Sequence, residues 1–365
     1  MKTLRRLVYA EVLVAVAFVS VGFLALFFFF DFLDELGDVG RGMEPYLLTQ
    51  ALIYVTLRMP SHLYELMPIA VLIGTIFVMA RFAQSSEYTI LRTSGLGPWR
   101  ALRTLLVLGL GFTVLTFVAG DYLAPLADRT AQLLKARMSG GVSLGTTGAW
   151  LKERQTYSSF NVNVYRLSSD GQMQGVRIFE ADSRGFLVSV TQAPRARFTD
   201  GAWLLQDADR TEFLNEHGTM RVEHVKLPSL RWPTDITREM VSVALLQPDR
   251  MSTIDLFQYI RHLDANAQTS QRYEIEFWRK VFYPLSCMVM VVLALPFAYL
   301  HFRSGGITSY VFGGVLIGIS FFLLNNVFGY IGNLRNWEPW VAAGMPGLLY
   351  TLLSLAAFGW LVLRR

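Results

Sequence analysis

Three polar residues interrupt an otherwise apolar stretch and are able to do proton or ligand chemistry there. Arg58, His62 and Glu65 are four and three residues apart, so they share one face of an α-helix. Ionisable groups inside a membrane helix often mark a proton pathway or a ligand site. The alternative is a structural polar cluster whose side chains extend toward the membrane surface. The residues alone leave both interpretations open.

The motifs of two common enzyme classes are absent from the sequence. None of the five lysines follows a glycine, which excludes a glycine-lysine phosphate-binding loop. The five histidines form no His-Glu-x-x-His pair, so a helical zinc site of that type is excluded. A single cysteine, Cys287, excludes a disulfide framework. We therefore expect a non-catalytic chain with no metal or cofactor of its own.

The elements around these residues are predicted to be membrane helices. Hydrophobic residues make up 53% of the chain and charged residues 17%, which is typical of a membrane protein. Six apolar stretches, three on each side of a polar block, approach or exceed the roughly 20 residues that span a bilayer. They are Val12–Phe30, Tyr46–Ala80, Leu105–Gly120, Val281–Leu300, Ser304–Leu334 and Pro339–Leu363.

The distribution of basic residues predicts the orientation. Arginine and lysine precede the first stretch, separate the second from the third and close the chain at Arg364 and Arg365. Acidic residues such as Asp31 and Asp38 follow the first stretch on the other side. The positive-inside rule therefore predicts cytoplasmic termini and an extracytoplasmic polar block. This bias also explains the net charge of +5 without nucleic acid.

The polar block is predicted to be an all-β domain. Apolar and polar residues alternate in Asn161–Leu167, Gly175–Phe179, Gly185–Val190 and Gly218–Val225, with glycine-containing turns between them. Many short strands at this spacing predict a sandwich, a jelly roll or an open barrel. Ser252–Asp255 resembles a capping box that begins a short helix leading back to the membrane. The predicted domains are residues 1–122, 123–274 and 275–365.

A further motif lies in the cytoplasmic loop Ala83–Gly95. Ser85 or Ser86 can cap a short helix, Glu87 suits its first turn and Gly95 suits its end. We expect a helix at about residues 84–95, which also holds Arg92 and Ser94. On physical grounds it is either an ordinary interfacial helix or a coupling helix that docks on a partner ATPase.

With these segments in order, the chain resembles the LptF/LptG permease family, the membrane subunits of the lipopolysaccharide export ABC transporter. The resemblance covers essentially the whole chain and is closer to the LptG branch. Besides Ala83–Gly95, it rests on Phe32–Leu36 with Gly40, Met67-Pro68, Leu72–Gly74, Ala124-Pro125, Arg272-Tyr273, Trp278, Lys280, Phe282, Pro284–Ser286, Gly318–Ser320 and Val327–Gly329. It implies six transmembrane helices with an inserted, jelly-roll-like periplasmic domain.

The resemblance also implies the partners. The chain would pair with the paralogous permease LptF above two copies of the cytoplasmic ATPase LptB, which bind ATP and Mg²⁺. It would pass lipopolysaccharide to periplasmic LptC from the inner membrane of a Gram-negative bacterium, with both termini cytoplasmic. The residues assigned to ATPase coupling are Ser86, Glu87, Arg92, Ser94 and Gly95.

A multi-acyl, phosphorylated lipid needs an apolar wall and a basic rim. We assign the wall to Phe28, Phe32, Phe321, Phe322 and Leu324, and the rim to Arg41, Arg129, Lys135 and Arg137. The chain departs from the family at the outer end of the first helix. Family members can carry lysines there, whereas this chain has Asp31 and Asp38.

Gly314 and Gly318 form a small-xxx-small pattern that permits close helix contact. They either form a lateral gate with the first helix of the partner permease or pack the fifth helix inside its own bundle. Two other function classes also remain open. One is an ion-coupled carrier that uses His62 and Glu65, and the other is a structural anchor of an envelope complex.

Overall fold

The structure is a computed structural model that describes residues 2–40, 46–85, 98–139, 148–168, 170–216, 219–238, 240–241, 248–299 and 307–363. Within these residues, six helices are long and apolar enough to cross a membrane, which confirms the six predicted spans. They are Arg5–Leu36, Leu48–Gln84, Trp99–Lys135, Gln271–Ala298, Thr308–Leu334 and Pro339–Trp360.

The first three spans extend beyond the apolar stretches that predicted them. Helix α1 covers Lys2–Leu36, and α2 covers Leu48–Gln84 with Pro60 and Pro68 inside it. The third span is composite: α3 (Pro98–Val118) passes through a π-helix (Ala119–Leu123) into α4 (Ala124–Ser139). The sequence placed the end of this span at Gly120, where the charged residue Asp121 follows.

Prolines divide the fourth span. Helix α6 (Gln271–Phe282) ends in a 3₁₀ turn at Tyr283–Leu285, and α7 (Ser286–Leu293) precedes a second one at Leu295–Tyr299. Each turn contains a proline, which lacks an N–H donor and so removes one hydrogen bond of the α-helix. The last two spans are α8 (Ile307–Leu334) and α9 (Pro339–Leu363).

The chain divides into two compact units. The membrane unit contains residues 1–33, 58–127 and 271–365, and the β unit contains residues 34–57 and 128–270. The sequence boundaries at 123 and 275 lie within five residues of two of these divisions. The inclusion of residues 34–57 in the β unit has no counterpart in the predicted domains.

Helix α2 lies at the centre of the membrane unit. Of the residues in the most apolar 18-residue segment of α2, 78% are buried, whereas 11% are buried in the corresponding segment of α1. At Gly74 the two helices approach so closely that an added Cβ atom would lie 2.8 Å from Val16. The thiol of Cys287 is also inside this core, where its Sγ atom lies 3.3 Å from the hydroxyl oxygen of Thr116.

The β unit contains a six-stranded antiparallel sheet in which each strand pairs with the next one along the chain. The strands are β1 (Ala149–Arg154), β2 (Ser158–Leu167), β3 (Met173–Asp182), β4 (Leu187–Thr199), β5 (Ala202–Glu216) and β6 (Thr219–Pro233). The inserted all-β domain is confirmed, and its described strands follow a meander order. Strands β1 and β5 were not among the predicted segments.

Local sequence explains the turns and the return helix. At Asp200 and Gly201, between β4 and β5, φ is 50° and 71°, as a two-residue hairpin turn requires. Helix α5 (Thr253–Ala265) begins with the predicted capping box. The Ser252 hydroxyl oxygen accepts a hydrogen bond from the backbone N–H of Asp255, and the Asp255 carboxylate accepts one from the backbone N–H of Ser252.

Candidate functional site

The polar cluster of α2 pairs with the acidic end of α1 in the membrane unit. The Asp31 carboxylate accepts a hydrogen bond from His62 Nε2 at 2.8 Å and lies 3.3 Å from the Arg58 guanidinium. The Phe27 and His62 rings are 4.9 Å apart, and Nδ1 of His62 is buried without a hydrogen-bond partner among the described residues. The predicted shared face of Arg58 and His62 is therefore directed at one carboxylate.

Glu65, the third member of this cluster, lies one turn further along α2. Its backbone carbonyl accepts a hydrogen bond from the hydroxyl of Tyr283, the first residue of the turn after α6. Within the membrane unit, this part of α2 is thus linked both to α1 and to the fourth span.

A second ion-pair cluster surrounds Glu35 in the β unit. The buried Glu35 carboxylate accepts hydrogen bonds from the Tyr46 hydroxyl at 2.9 Å and from Lys135 Nζ at 3.1 Å. Lys135 also lies 3.2 Å from Asp38 and 5.0 Å from the centre of the Tyr54 ring. Burial, together with the hydrogen bond to Glu35, raises the pKa of the Tyr46 phenol well above its ordinary value.

The basic rim predicted for phosphate is thus partly occupied by carboxylates of the same chain. Lys135 is paired with Glu35 and Asp38, and Arg129 of α4 forms an ion pair with Asp255 of α5. Arg41 and the side chain of Arg137 lie outside the described part of the chain. A phosphate group that binds Arg129 or Lys135 therefore meets a carboxylate that is already paired with the cation.

The predicted apolar wall is distributed between exposed and buried positions. Phe28 and Phe32 are partly exposed, and their rings stack with centres 6.3 Å apart. Phe322 and Leu324 on α8 are also partly exposed. Phe321 instead packs inside the membrane unit, where its ring lies between those of Tyr283 and Tyr350.

The two glycines assigned to a lateral gate pack α8 on α2 of the same chain. A Cβ atom at Gly314 would lie 2.6 Å from Ile76, and one at Gly318 would lie 2.9 Å from Ile69. This contact corresponds to the second of the two roles predicted for these glycines. The seam with a partner chain stays a prediction, and it requires a face of α8 that α2 leaves open.

The residues assigned to ATPase coupling, Ser86, Glu87, Arg92, Ser94 and Gly95, lie outside the described part of the chain. The described chain stops at Ser85, just after α2, and continues with α3 at Pro98. At this end of α2, Arg81 forms an ion pair with Glu11 of α1 at 2.7 Å.

The sequence contains one Gly-x-Ser-x-Gly pattern, which is typical of the nucleophile elbow of hydrolases. Gly141–Gly145 reads Gly-Val-Ser-Leu-Gly, the spacing of a nucleophile elbow, and lies outside the described residues. Such an elbow follows a strand and precedes a helix. Here helix α4 comes before the pattern and strand β1 comes after it, so the flanking elements are in the wrong order for an elbow.

Comparison with known proteins covers both units. A family model described as "Lipopolysaccharide export system permease LptF/LptG" matches residues 6–363. Lipopolysaccharide export system permease protein LptG of Escherichia coli K12 is 28% identical over 338 residues, which cover 92% of this chain and 90% of that protein. The LptG protein of Haemophilus influenzae is 25% identical over 367 residues, covering 100% and 99%.

Proposed function

Because the chain belongs to the LptF/LptG family of lipopolysaccharide export permeases, we propose that it extracts lipopolysaccharide from the outer leaflet of the inner membrane and passes it to a periplasmic acceptor. The observation that carries this proposal is the match over residues 6–363, which includes both the membrane unit and the β unit. The chain is a multi-pass membrane protein, and its role in this proposal is that of a non-catalytic subunit.

Other subunits supply the energy and the acceptor in this proposal. The chain pairs with the paralogous permease LptF, and an LptB dimer that binds ATP and Mg²⁺ docks on the loop Ala83–Gly95. The β unit faces the periplasm and delivers the lipid toward LptC, while both termini remain cytoplasmic. The absence of a phosphate-binding loop from this sequence is consistent with a separate ATPase.

The surface of α1 supports a lipid- or partner-facing role. Only 11% of the residues in its most apolar 18-residue segment are buried, and Phe29 and Phe30 are both more than half exposed. A membrane helix with so little contact inside its own chain is covered by lipid or by another helix. In the proposed heterodimer, this face and the exposed face of α8 line the cavity that receives the acyl chains.

The ion pairs around Lys135 and Arg129 support a headgroup role. A cation beside a membrane surface is stabilised by a nearby anion, and a carboxylate of the same chain supplies one when no lipid is bound. Phosphate oxygens offer the same cations equally strong acceptors. We propose that the lipid phosphates replace Glu35 and Asp255 at these two side chains, so that the cations stay paired throughout the cycle.

The test is purification of the tagged chain followed by mass spectrometry of the bound proteins and lipids. We expect LptF, LptB and lipopolysaccharide in one complex. Proteoliposomes that contain this complex should release lipopolysaccharide to an LptC-type acceptor only when ATP is supplied. Release that is sustained by an ion gradient without the ATPase would support a carrier instead. An intact complex with neither bound lipid nor ATP-dependent release would support a structural anchor.

A further inference from the structure

Two consecutive cations on α6 reach into the membrane unit and donate to backbone carbonyls of two different spans. Lys280 donates from Nζ to the carbonyl of Gly120, in the π-helix of the third span, at 3.0 Å. Arg279 donates from Nη2 to the carbonyl of Asn325, in α8, at 3.0 Å. Both cations lie within the fourth membrane span, where an ionisable residue is costly and is usually retained for function.

The sequence of the third span leaves the Gly120 carbonyl without a backbone donor, which Lys280 replaces. In an α-helix or a π-helix, the Gly120 carbonyl would accept from the backbone N–H of residue 124 or residue 125. The N–H of Ala124 is directed to the carbonyl of Ala119, and Pro125 has no N–H. The Gly120 carbonyl is therefore left without a partner in its own helix. In a membrane such a group must be satisfied from elsewhere, and Lys280 does this.

The surroundings of Lys280 are built to hold it in place. The side chain is buried, with 6% of its surface exposed, and Nζ lies 5.6 Å from the centre of the Tyr64 ring. The Tyr64 ring packs so closely on Gly120 that an added Cβ atom would lie 2.2 Å from it. The cation thus has a carbonyl and an aromatic face as neighbours, and both are favourable for a desolvated ammonium group.

Arg279 makes the matching contact on the fifth span. Its Nη1 atom forms an ion pair with Glu276 at 2.9 Å, which leaves Nη2 directed at α8. A Cβ atom at Gly329 would overlap Nη2, so in this position the guanidinium packs against a residue of α8 that has no side chain.

We propose that Lys280 is a positioning residue for transport, which holds the π-helix and, together with Arg279, makes the third, fourth and fifth spans of this chain move as one block. This inference rests on the proposed function, since it assigns Lys280 a role in converting ATP hydrolysis into lipid release. Lys280 does not touch the lipid in this proposal. It keeps the outer part of the third span in a fixed register while the cavity changes shape.

The test compares Lys280→Met, which keeps the length but removes the donor, with Lys280→Arg, which keeps a donor. The matched control is Arg272→Met, which removes an exposed cation from the same helix. Hydrogen exchange at residues 119–124 is measured on the complete complex in nanodiscs without nucleotide. We expect Lys280→Met to accelerate exchange there about tenfold, as the loss of one buried hydrogen bond would. Lys280→Arg and Arg272→Met should leave it near the native rate.

The same variants are assayed for ATP hydrolysis and for lipid released per ATP. Lys280→Met should hydrolyse ATP but release less lipid per ATP, and Lys280→Arg should restore the ratio. Unchanged exchange in Lys280→Met would overturn the contact, and faster exchange with an unchanged ratio would overturn the positioning role. If the native complex releases no lipid with ATP, the proposed function fails, whereas the exchange measurement still tests the contact.

A second variant covers the case in which Lys280→Met does not fold. Pro125→Ala supplies the missing N–H to the Gly120 carbonyl from within the helix. The double variant should therefore fold better than Lys280→Met alone and recover part of the native exchange protection. No improvement on adding Pro125→Ala would show that the unsatisfied carbonyl is not the reason why Lys280 is needed.

Discussion

Ion pairs organise the C-terminal end of α1 at the scale of single residues. Asp31 is paired with Arg58 and His62 inside the membrane unit, and Glu35 is paired with Lys135 inside the β unit. This helix end therefore presents less free negative charge than its composition implies. The partly buried Asp31 carboxylate, held by Arg58 and His62, also fixes the rotation of α1, because only one face of this helix can present it to them.

The first prediction concerns Asp31→Asn, which removes the charge that Arg58 and His62 share. Removing this partly buried carboxylate leaves the Arg58 guanidinium without its counter-charge and weakens the hydrogen bond to His62, so we expect a loss of roughly 1–3 kcal/mol in stability. Thermal unfolding of the purified chain should shift down by several degrees. Asp34→Asn is the control, because Asp34 is exposed on the same helix end. Equal shifts in both variants would show that the Asp31 cluster adds nothing to stability.

The second prediction concerns the pH dependence of the β unit. Burial lowers the pKa of His262 in α5, and Nε2 of this ring is buried without a hydrogen-bond partner among the described residues. Unfolding restores the ordinary pKa of about 6.5, so the unfolded chain binds the proton first as pH falls. The stabilising effect of the neutral ring is complete above about pH 6.5 and is lost as pH falls through the lower folded pKa.

Thermal unfolding of the full-length protein, followed by tryptophan fluorescence, tests this between pH 7 and pH 5. The native chain should lose stability across this range, and His262→Gln should lose less, because glutamine does not titrate. A native slope in His262→Gln would assign the pH dependence to other groups.

Close packing between α8 and α2 is the main feature at the scale of elements. The third prediction is that Gly318→Val destabilises the chain by about 1–3 kcal/mol, because the new side chain overlaps Ile69. Gly313→Val is the matched control on the same helix, because no atom lies within 4 Å of a Cβ added there. Unfolding temperatures of the two variants provide the measurement. A comparable loss in Gly313→Val would attribute the effect to helix propensity and not to the contact with α2.

Comparison of the elements with the sequence shows which of them local patterns can predict. The six spans, the all-β insertion and the Ser252–Asp255 capping box follow from local sequence, because hydrophobicity and capping are properties of neighbouring residues. The pattern at Gly314 and Gly318 predicts a close approach but not its partner, since spacing contains no information about the other helix. The passage from α3 into α4 was missed for a related reason. The Gly120 carbonyl in this passage accepts a hydrogen bond from Lys280, which is 160 residues away in the chain.

The same limit applies to the candidate site. The shared face of Arg58 and His62 could be predicted from their spacing. Their pairing with Asp31 could not, because it depends on how α1 and α2 pack. Phe321 was assigned to the lipid-facing wall from its apolar character, although core and lipid-facing positions have the same composition in a membrane protein. The burial of Phe321 and its aromatic contacts with Tyr283 and Tyr350 separate the two.

At the scale of the whole molecule, the loop Ala83–Gly95 is the expected link to the ATPase. The fourth prediction is that Glu87→Arg and Gly95→Pro each weaken ATPase docking, the first by reversing a charge at the start of the expected coupling helix and the second by breaking its expected end. Copurification of the ATPase subunit and coupled transport should both fall. The unfolding temperature should stay native, which separates lost docking from misfolding. Full copurification in both variants would remove this loop from the interface.

The fifth prediction concerns the exposed face of α1. Phe28→Cys should crosslink to a cysteine in the fifth span of the partner permease. The crosslink should block ATP-driven lipid release while ATP still binds. Full transport with an efficient crosslink would show that this seam need not open, and no crosslink in any nucleotide state would place the two helices apart.

The position of Cys287 has a practical consequence for experiments of this kind. It is the only cysteine of the chain, and its side chain is fully buried beside Thr116 in the membrane unit. Thiol reagents react with a thiolate that they can reach, and a thiol buried in apolar surroundings is neither ionised nor accessible. The native sequence therefore has no thiol that reacts readily with maleimides, spin labels or fluorophores. Probes introduced one at a time should report their own site without prior removal of the natural thiol.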